Sequence, residues 1–420
     1  MSISSQRSLA QLQKECEDNG IQVVQSGSRI TKTDYILALR DFYMKRNYPN
    51  GIPKSLELML QIESPMLCQR YTVLSESEKK NIWDSKDWVA EQKEDGARMV
   101  MIWSGGEWDF FSRNISVSDF LPVNYKDHFY LGDVDFSGIT DEFILDSEVM
   151  SVNPRVSTVI GKRGVVTESQ LQAVTALMAM NVEDSINIQK NEGCPLEFRT
   201  FDCLWYNGEW LIDKPLVERI PYLLKALDQI QKAGMKARRP YSNYSNKKAF
   251  YKALVASGAE GVILKNLKSP YVASNSRRRD GFVKVKRTMS EAREMSGLGD
   301  TIDAFVTGFE PADENKGFAG MVGCLEFSCY LRDSQGNLKP HMIARVSNIP
   351  LDLRQEITDH DVDGNPILKK DWYGKCASVD GQCVAARSRR LKHAVLVNWR
   401  PDRSPDTCVI DEDFLNSMIL

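Results

Sequence analysis

The feature that most constrains this chain is a change of rhythm near residue 300. Between residue 51 and about 295, strand-like runs (WVAEQKE, ARMVMIW, EWDFFS, FILDSEVM, EFRTFDCLWY, GVILKN and GFVKVK) alternate with helix-like ones. Beyond residue 300 the runs are short strands broken by turns: IDAFVTGFE, GCLEFSCYL, HMIARVS, GKCASVD and HAVLVNW. Helices and strands sort their side chains with different periods, so one architecture cannot serve both stretches. The first predicts an α+β body with long insertions, the second a small β-barrel. Helices are expected after Thr167, where Thr167 and Gln170 read as a capping box and Leu171, Val174 and Met178 share a face, from Pro215 towards Lys232, and from Lys247 to Val255, stopped by Ser257-Gly258. The stretch SEAREMSGLGD (290–300) is the expected hinge.

Ahead of these, Leu9, Leu12 and Cys16 and then Ile36, Leu39 and Tyr43 repeat one helical spacing on either side of a loop rich in Ser and Gly. Thr33 or Asp34 is the expected cap of the second helix. The domain boundaries that follow are 1–55, 56–297 and 298–420, which suits a chain of 420 residues at roughly 100–200 residues per domain. With 42% hydrophobic and 26% charged residues, disorder is excluded. No run approaches the ~20 apolar residues of a membrane span, and the N-terminus carries no apolar signal region, so a cytoplasmic protein with no membrane partner is expected. The nine cysteines form no CxxC pair and the four histidines are isolated, which predicts reduced thiols and no zinc or histidine metal site.

Most of the chemistry gathers around Glu91-Gln92-Lys93-Glu94-Asp95-Gly96-Ala97-Arg98. Alone, it reads as readily as a hairpin with a solvated charge. A lysine amine becomes a nucleophile when burial or neighbouring cations lower its pKa. Further strand ends supply the neighbours in order: Phe111-Ser112-Arg113-Asn114, Leu145-Asp146-Ser147-Glu148-Val149, Phe201-Asp202-Cys203-Leu204, Glu260-Gly261-Val262-Ile263-Leu264-Lys265 and Lys284-Val285-Lys286.

This series is similar to motifs I, Ia, III, IIIa, IV and V of the covalent nucleotidyltransferase superfamily, which includes ATP-dependent DNA ligases, RNA ligases and mRNA capping enzymes. Ser64-Pro65-Met66-Leu67 resembles a Pro-Met-Leu segment of DNA ligases. Asn315-Lys316-Gly317-Phe318-Ala319-Gly320-Met321-Val322-Gly323 resembles the glycine-rich start of their OB domain. Arg387-Ser388-Arg389-Arg390-Leu391-Lys392-His393-Ala394 and Asn398-Trp399-Arg400-Pro401-Asp402-Arg403 resemble motif VI of phage-type ATP-dependent DNA ligases. The N-terminal pair of helices resembles the SAP module, which implies DNA binding; the alternative is a helical arm packed on the main body. The fold implied is α+β: an ATP-grasp-like nucleotidyltransferase domain of DNA-ligase type, a C-terminal OB-fold β-barrel, and the small helical N-terminal module.

The resemblance implies Lys93 as the nucleophile that takes AMP from ATP. Lys284 and Lys286, at i and i+2 of a strand, share a face and would both address the α-phosphate while depressing the pKa of Lys93. Magnesium (or manganese) prefers carboxylates and phosphate oxygens, which makes Glu148 and Glu260 the candidate metal ligands. Phe201 would stack on the adenine, Arg98 meet the ribose, Glu91 lie near the adenine amino edge, and Arg113 sit beside the nucleotide or the DNA 5′-phosphate. In motif VI, Arg390 or Lys392 would meet the β- and γ-phosphates as the OB domain closes; a lysine there lacks the bidentate fork of arginine.

The formal charge of −3 seems to argue against a polyanion partner, yet Lys265–Arg287 carries +7 and Arg387–Arg403 carries +5. These runs read as phosphate tracks, with Arg277, Arg278 and Arg279 as the leading DNA-backbone contacts. The expected activity is sealing of 5′-phosphate/3′-hydroxyl nicks in double-stranded DNA by a monomer, in DNA replication, repair or recombination, in a host cytoplasm if phage-encoded. An RNA ligase or capping guanylyltransferase is the nearest alternative, and a non-catalytic DNA-binding scaffold the alternative of another class.

Overall fold

Along Ala97–Ser104, Met99, Met101 and Trp103 enter one apolar cluster while Val100 and Ile102 enter another. Phe143–Ser151 divides in the same way, with Phe143 and Leu145 on the first side and Ile144 on the second. A sheet buried on both faces explains why these strands read as near-continuous apolar runs rather than as alternating ones. Each large side chain so buried contributes roughly 1.5–3 kcal/mol.

The computed structural model describes all residues except 1–6, 63, 117, 133, 152–156, 161–162, 167–169, 192–193, 274–279, 287–300, 314–316, 382, 386 and 419–420. Thr167, the 290–300 stretch and Asn315-Lys316 therefore lie outside the described residues. The chain divides into two compact units, Met1–Tyr251 with Gly261–Val285, and Lys252–Glu260 with Lys286–Leu420. The fold is mixed α and β, and among the described residues no helix is long and apolar enough to cross a membrane.

In the first unit a seven-stranded sheet runs Glu209–Trp210, Leu196–Tyr206, Phe143–Ser151, Ala97–Ser104, Glu107–Ile115, Pro122–Asn124, with Ala237–Arg238 paired beside Leu196–Tyr206. Helices Gln170–Ala179 and Leu216–Lys232 cover one face, inserting Val174, Leu177, Leu223 and Leu227. The second sheet has five strands in the order Gln69–Arg70, Phe282–Lys286, Gly261–Asn266, Trp88–Gln92, Ser242–Asn243.

The N-terminal helices, Leu9–Asp18 and Lys32–Asn47, fall within this first unit. Each opens on a capping box, Ser8 with Gln11 and Thr31 with Asp34. The cap of the second helix is thus Thr31, and Asp34 closes the box from inside instead of capping. Leu12, Cys16, Ile36 and Leu39 bury against each other, while Leu9 is exposed. Phe120, from the loop after Glu107–Ile115, completes their core at 1% exposure and a left-handed φ of 58°.

The second unit carries a six-stranded sheet ordered Leu338–Val346, Val322–Arg332, Ile302–Pro311, Cys376–Asp380, Val395–Trp399, with Val409–Asp411 parallel to Val322–Arg332. Its apolar centre includes Val306, Leu325, Phe327, Ile343 and Val379. Arg354 is buried there, donating to the carbonyls of Ile349, Val322, Gly323 and Ser347, with the Phe318 ring over its guanidinium. Gly323 is needed because a Cβ would stand 2.6 Å from the Ala312 Cα.

Candidate active site

Lys93 follows directly on Trp88–Gln92, and its backbone N–H still donates to the Gly261 carbonyl at 2.9 Å, prolonging the ladder past the strand end. Its Nζ lies 3.4 Å from the Glu94 carbonyl. The chain then turns through Gly96 into Ala97–Ser104. A Cβ on Gly96 would overlap the Val149 carbonyl oxygen and stand 2.9 Å from the Glu148 Cγ. Glycine at this step lets the lysine turn press against the strand that carries Glu148, where Arg98 pairs in register with Glu148.

A cavity of about 640 Å³ opens at this junction. Lys93, Lys284, Glu91, Arg98, Arg113, Glu148 and Phe201 all line it, so seven of the expected residues meet in one place although they come from five separate motifs. Arg113 is exposed at its rim, and among the described residues it forms no ion pair. Burial pushes the Cys68 thiol up, against the pull of Arg98, Lys265, Lys284 and Lys93, so four cations converge on that wall. Burial also raises the Glu94 carboxyl, with Arg199 pulling the other way from 3.6 Å.

Two buried ion networks reach the Phe201 ring. In the first, Arg98 reaches it at 5.5 Å and forks onto Asp146, at 2.9 and 2.5 Å; it also donates to the Met66 carbonyl at 2.6 Å. Tyr271 donates to Asp146 at 2.6 Å and accepts from the Met66 N–H at 2.9 Å. Burial works against the Arg98 charge, but Asp146, itself fully buried, holds it protonated far above pH 7. In the second, Lys265 stands 4.5 Å from the ring and 2.5 Å from the Glu91 carboxylate, which also accepts from Arg239 at 2.7 Å.

Several expectations shift against this geometry. Lys265 was counted in a phosphate track, yet it is 2% exposed and neutralised by Glu91. The Arg98 guanidinium is committed to Asp146 and the Pro-Met-Leu backbone. Glu91 is 2% exposed and holds two cations. Lys286 and Glu260 pair with each other at 2.7 Å. Arg390 and Lys392 belong to the second unit, where Lys392 pairs in register with Cys383. Arg277, Arg278 and Arg279 lie outside the described residues.

Asp146, Tyr271, Lys265 and Arg239 were not singled out by sequence reasoning. Asp146 and Lys265 stood inside quoted motifs, but nothing in a linear pattern distinguishes a buried partner from a solvated charge. Tyr271 and Arg239 carried no signal, because their role arises from contacts 125 and 148 residues away along the chain.

Residues 65–286 match the family model for the ATP dependent DNA ligase domain, just over half of the chain. The chain belongs to the ATP-dependent DNA ligase family. Among curated relatives it is similar to DNA ligase 4 of Candida glabrata, 27% identical over 253 residues, covering 59% of this chain and 24% of that protein. It is also similar to a probable DNA ligase of Persephonella marina, 25% identical over 268 residues, 63% of this chain and 41% of that one. The chain therefore spans about a quarter to two fifths of the length of these relatives. Among solved structures, the ATP-dependent DNA ligase of bacteriophage T7 in complex with ATP is 17% identical with a TM-score of 0.36, over 80% of this chain and 99% of that one. The stretch that matches the ligase family model begins at Pro65 and ends at Lys286, so every cavity-lining residue lies within it.

Proposed function

We propose that this chain is an ATP-dependent DNA ligase that seals 5′-phosphate/3′-hydroxyl nicks in duplex DNA. The observation that carries the reading is the meeting of Lys93, Lys284, Glu148 and Phe201 in one cavity of a chain from the ligase family. In the first step the Lys93 amine attacks the α-phosphorus of ATP; a P–N bond forms, the bond to the β-phosphate oxygen breaks, and pyrophosphate leaves. An oxygen of the DNA 5′-phosphate next attacks the AMP phosphorus and releases the lysine amine. The 3′-hydroxyl then attacks the 5′-phosphorus, loses its proton and expels AMP. All three are displacements at phosphorus, so the protein's part is positioning and charge neutralisation.

Lys284 faces the cavity and supplies positive charge for the α-phosphate. Phe201, lining the cavity, offers its ring to the base, and Arg113 at the rim offers its guanidinium to a phosphate. Among the described residues no group of three or more His, Cys, Asp or Glu side chains is arranged to hold a metal ion. Magnesium is commonly held by one or two carboxylates plus substrate phosphates. Glu148, lining the cavity, would be its carboxylate, and the ion would neutralise charge developing on the pyrophosphate. Glu260 pairs with Lys286 at 2.7 Å.

The test is incubation with radiolabelled ATP and magnesium, followed by a nicked duplex. A labelled protein adduct that Lys93→Ala abolishes, and whose AMP is released on sealing, is the expected result. Absence of the adduct, or an adduct formed from GTP alone, would sink the reading. A sealed nick in RNA on a DNA splint but none in DNA would move it to RNA ligase.

A further inference from the structure

The buried carboxylate at the cavity floor has an unusual second partner. Glu91 lines the cavity, and its two oxygens are divided between two cations from different parts of the chain: Lys265 from Gly261–Asn266, at 2.5 Å, and Arg239, at 2.7 Å. Arg239 stands between Ala237–Arg238 and Ser242–Asn243, and its neighbour Pro240 is part of the lining. Burial disfavours the Arg239 charge, but Glu91 holds the guanidinium protonated, and Tyr244 adds a hydrogen bond.

Ser242 pairs in register with Glu91, and the Gln92 N–H donates to the Tyr241 carbonyl at 2.8 Å, so the Arg239 segment is fastened to the strand that leads to Lys93. Lys265 carries the connection onward, because its ammonium also donates to the Phe201 carbonyl at 3.3 Å and faces the Phe201 and Phe282 rings.

We propose that Arg239 is a positioning residue for nucleobase selection: by holding one Glu91 oxygen it keeps the carboxylate aimed, so the cavity floor accepts a base bearing an amino group and rejects one bearing a carbonyl there. This rests on the ATP-binding reading above. The chemistry follows from the acceptor-only character of an ionised carboxylate. Such a group pairs with the exocyclic amine of adenine, whereas the carbonyl at that position of guanine meets it lone pair to lone pair. With Lys265 alone, the carboxylate would be free to swing towards the ammonium, and both the pairing and the rejection would weaken. A hydrogen bond to a charged group is worth on the order of tenfold or more in binding, which sets the size of the expected effect.

The test measures adenylate formation by the full chain over a range of ATP and, separately, GTP concentrations, for the wild type, Arg239→Gln and Arg239→Lys. Arg239→Gln is expected to raise the KM for ATP about tenfold or more, with a smaller fall in kcat, and to narrow the preference of ATP over GTP. Arg239→Lys keeps the charge without the fork and is expected to fall between the two. An unchanged KM for ATP together with an unchanged ATP-to-GTP ratio would overturn the proposal. Should Arg239→Gln fail to fold, the lysine variant decides: wild-type KM and wild-type ratio overturn the idea, and an intermediate pair of values supports it. A wild type that forms no adduct with ATP would reject the ligase reading itself, an outcome distinct from any of these.

Discussion

The floor of the cavity and the C-terminal basic segment hold the same kinds of residue under opposite physical conditions. Arg98 and Lys265, which line the cavity, and Arg219, which is enclosed in the same unit, are each matched to a buried carboxylate: Asp146, Glu91 and Asp202. Between Arg387 and Arg403 the cations are more exposed; Arg389 meets Glu412, and Arg400 and Arg403 meet Asp303. Among the described residues, Arg387, Arg390 and Lys392 form no ion pair. A local excess of lysine and arginine therefore does not mark each of its cations as open to a polyanion. The +7 of Lys265–Arg287 includes Lys265, which is buried against Glu91, and Lys268 and Lys286, which meet Asp87 and Glu260.

The sharpest way to break the comparison is to remove one partner from a buried pair. Arg219 and Asp202 are both fully enclosed and joined by two 2.8 Å bonds. Asp202→Ala should cost roughly 3–5 kcal/mol, read by urea denaturation, because it leaves an uncompensated guanidinium. The double variant Asp202→Leu with Arg219→Met should recover most of that loss, since the pair's own net worth is small. Next in size, Gly96→Ala should destabilise by roughly 1–3 kcal/mol and slow adenylate formation, as the Val149 carbonyl must move away from the added methyl.

A smaller effect is expected in acid. Arg400 lowers the Asp402 carboxyl to about 2. A depressed carboxylate adds stability above its unfolded value near 4, and that stability is lost as pH falls from there towards about 2. The Tm difference between wild type and Asp402→Asn should therefore be present at pH 6 and shrink below pH 4. Smallest for stability, Arg390→Ala and Lys392→Ala should leave Tm unchanged while each reduces the salt dependence of DNA binding by about one unit of slope. If either lowers Tm as Asp202→Ala does, the distinction between the two regions fails.

The long strands were legible because burial on both faces writes itself as apolar runs, and Leu216–Lys232 because its apolar stripe starts directly after Pro215. Short pieces such as Gln69–Arg70 and Ser242–Asn243 had no pattern to read; each is a strand only because a neighbour supplies its bonds. Within the cavity, residues that carry reactive chemistry stood out through the ordered series of strand ends that holds Lys93, Glu148, Phe201 and Lys284, not through the Lys93 turn alone. Their supports did not. Asp146 differs from a surface aspartate only through Tyr271 and Arg98, which reach it from far along the chain.

Phe120 bears on how this protein can be cut. Its ring fills the space between the two N-terminal helices, and Ile115 packs on the same cluster. A shortened form starting near residue 51 would present a bare phenylalanine, on a backbone already twisted to φ 58°, to the solution. Self-association of such a fragment would then mimic a defect in DNA binding. Trimming the helices and replacing Phe120 with a polar residue in the same step keeps those two effects apart.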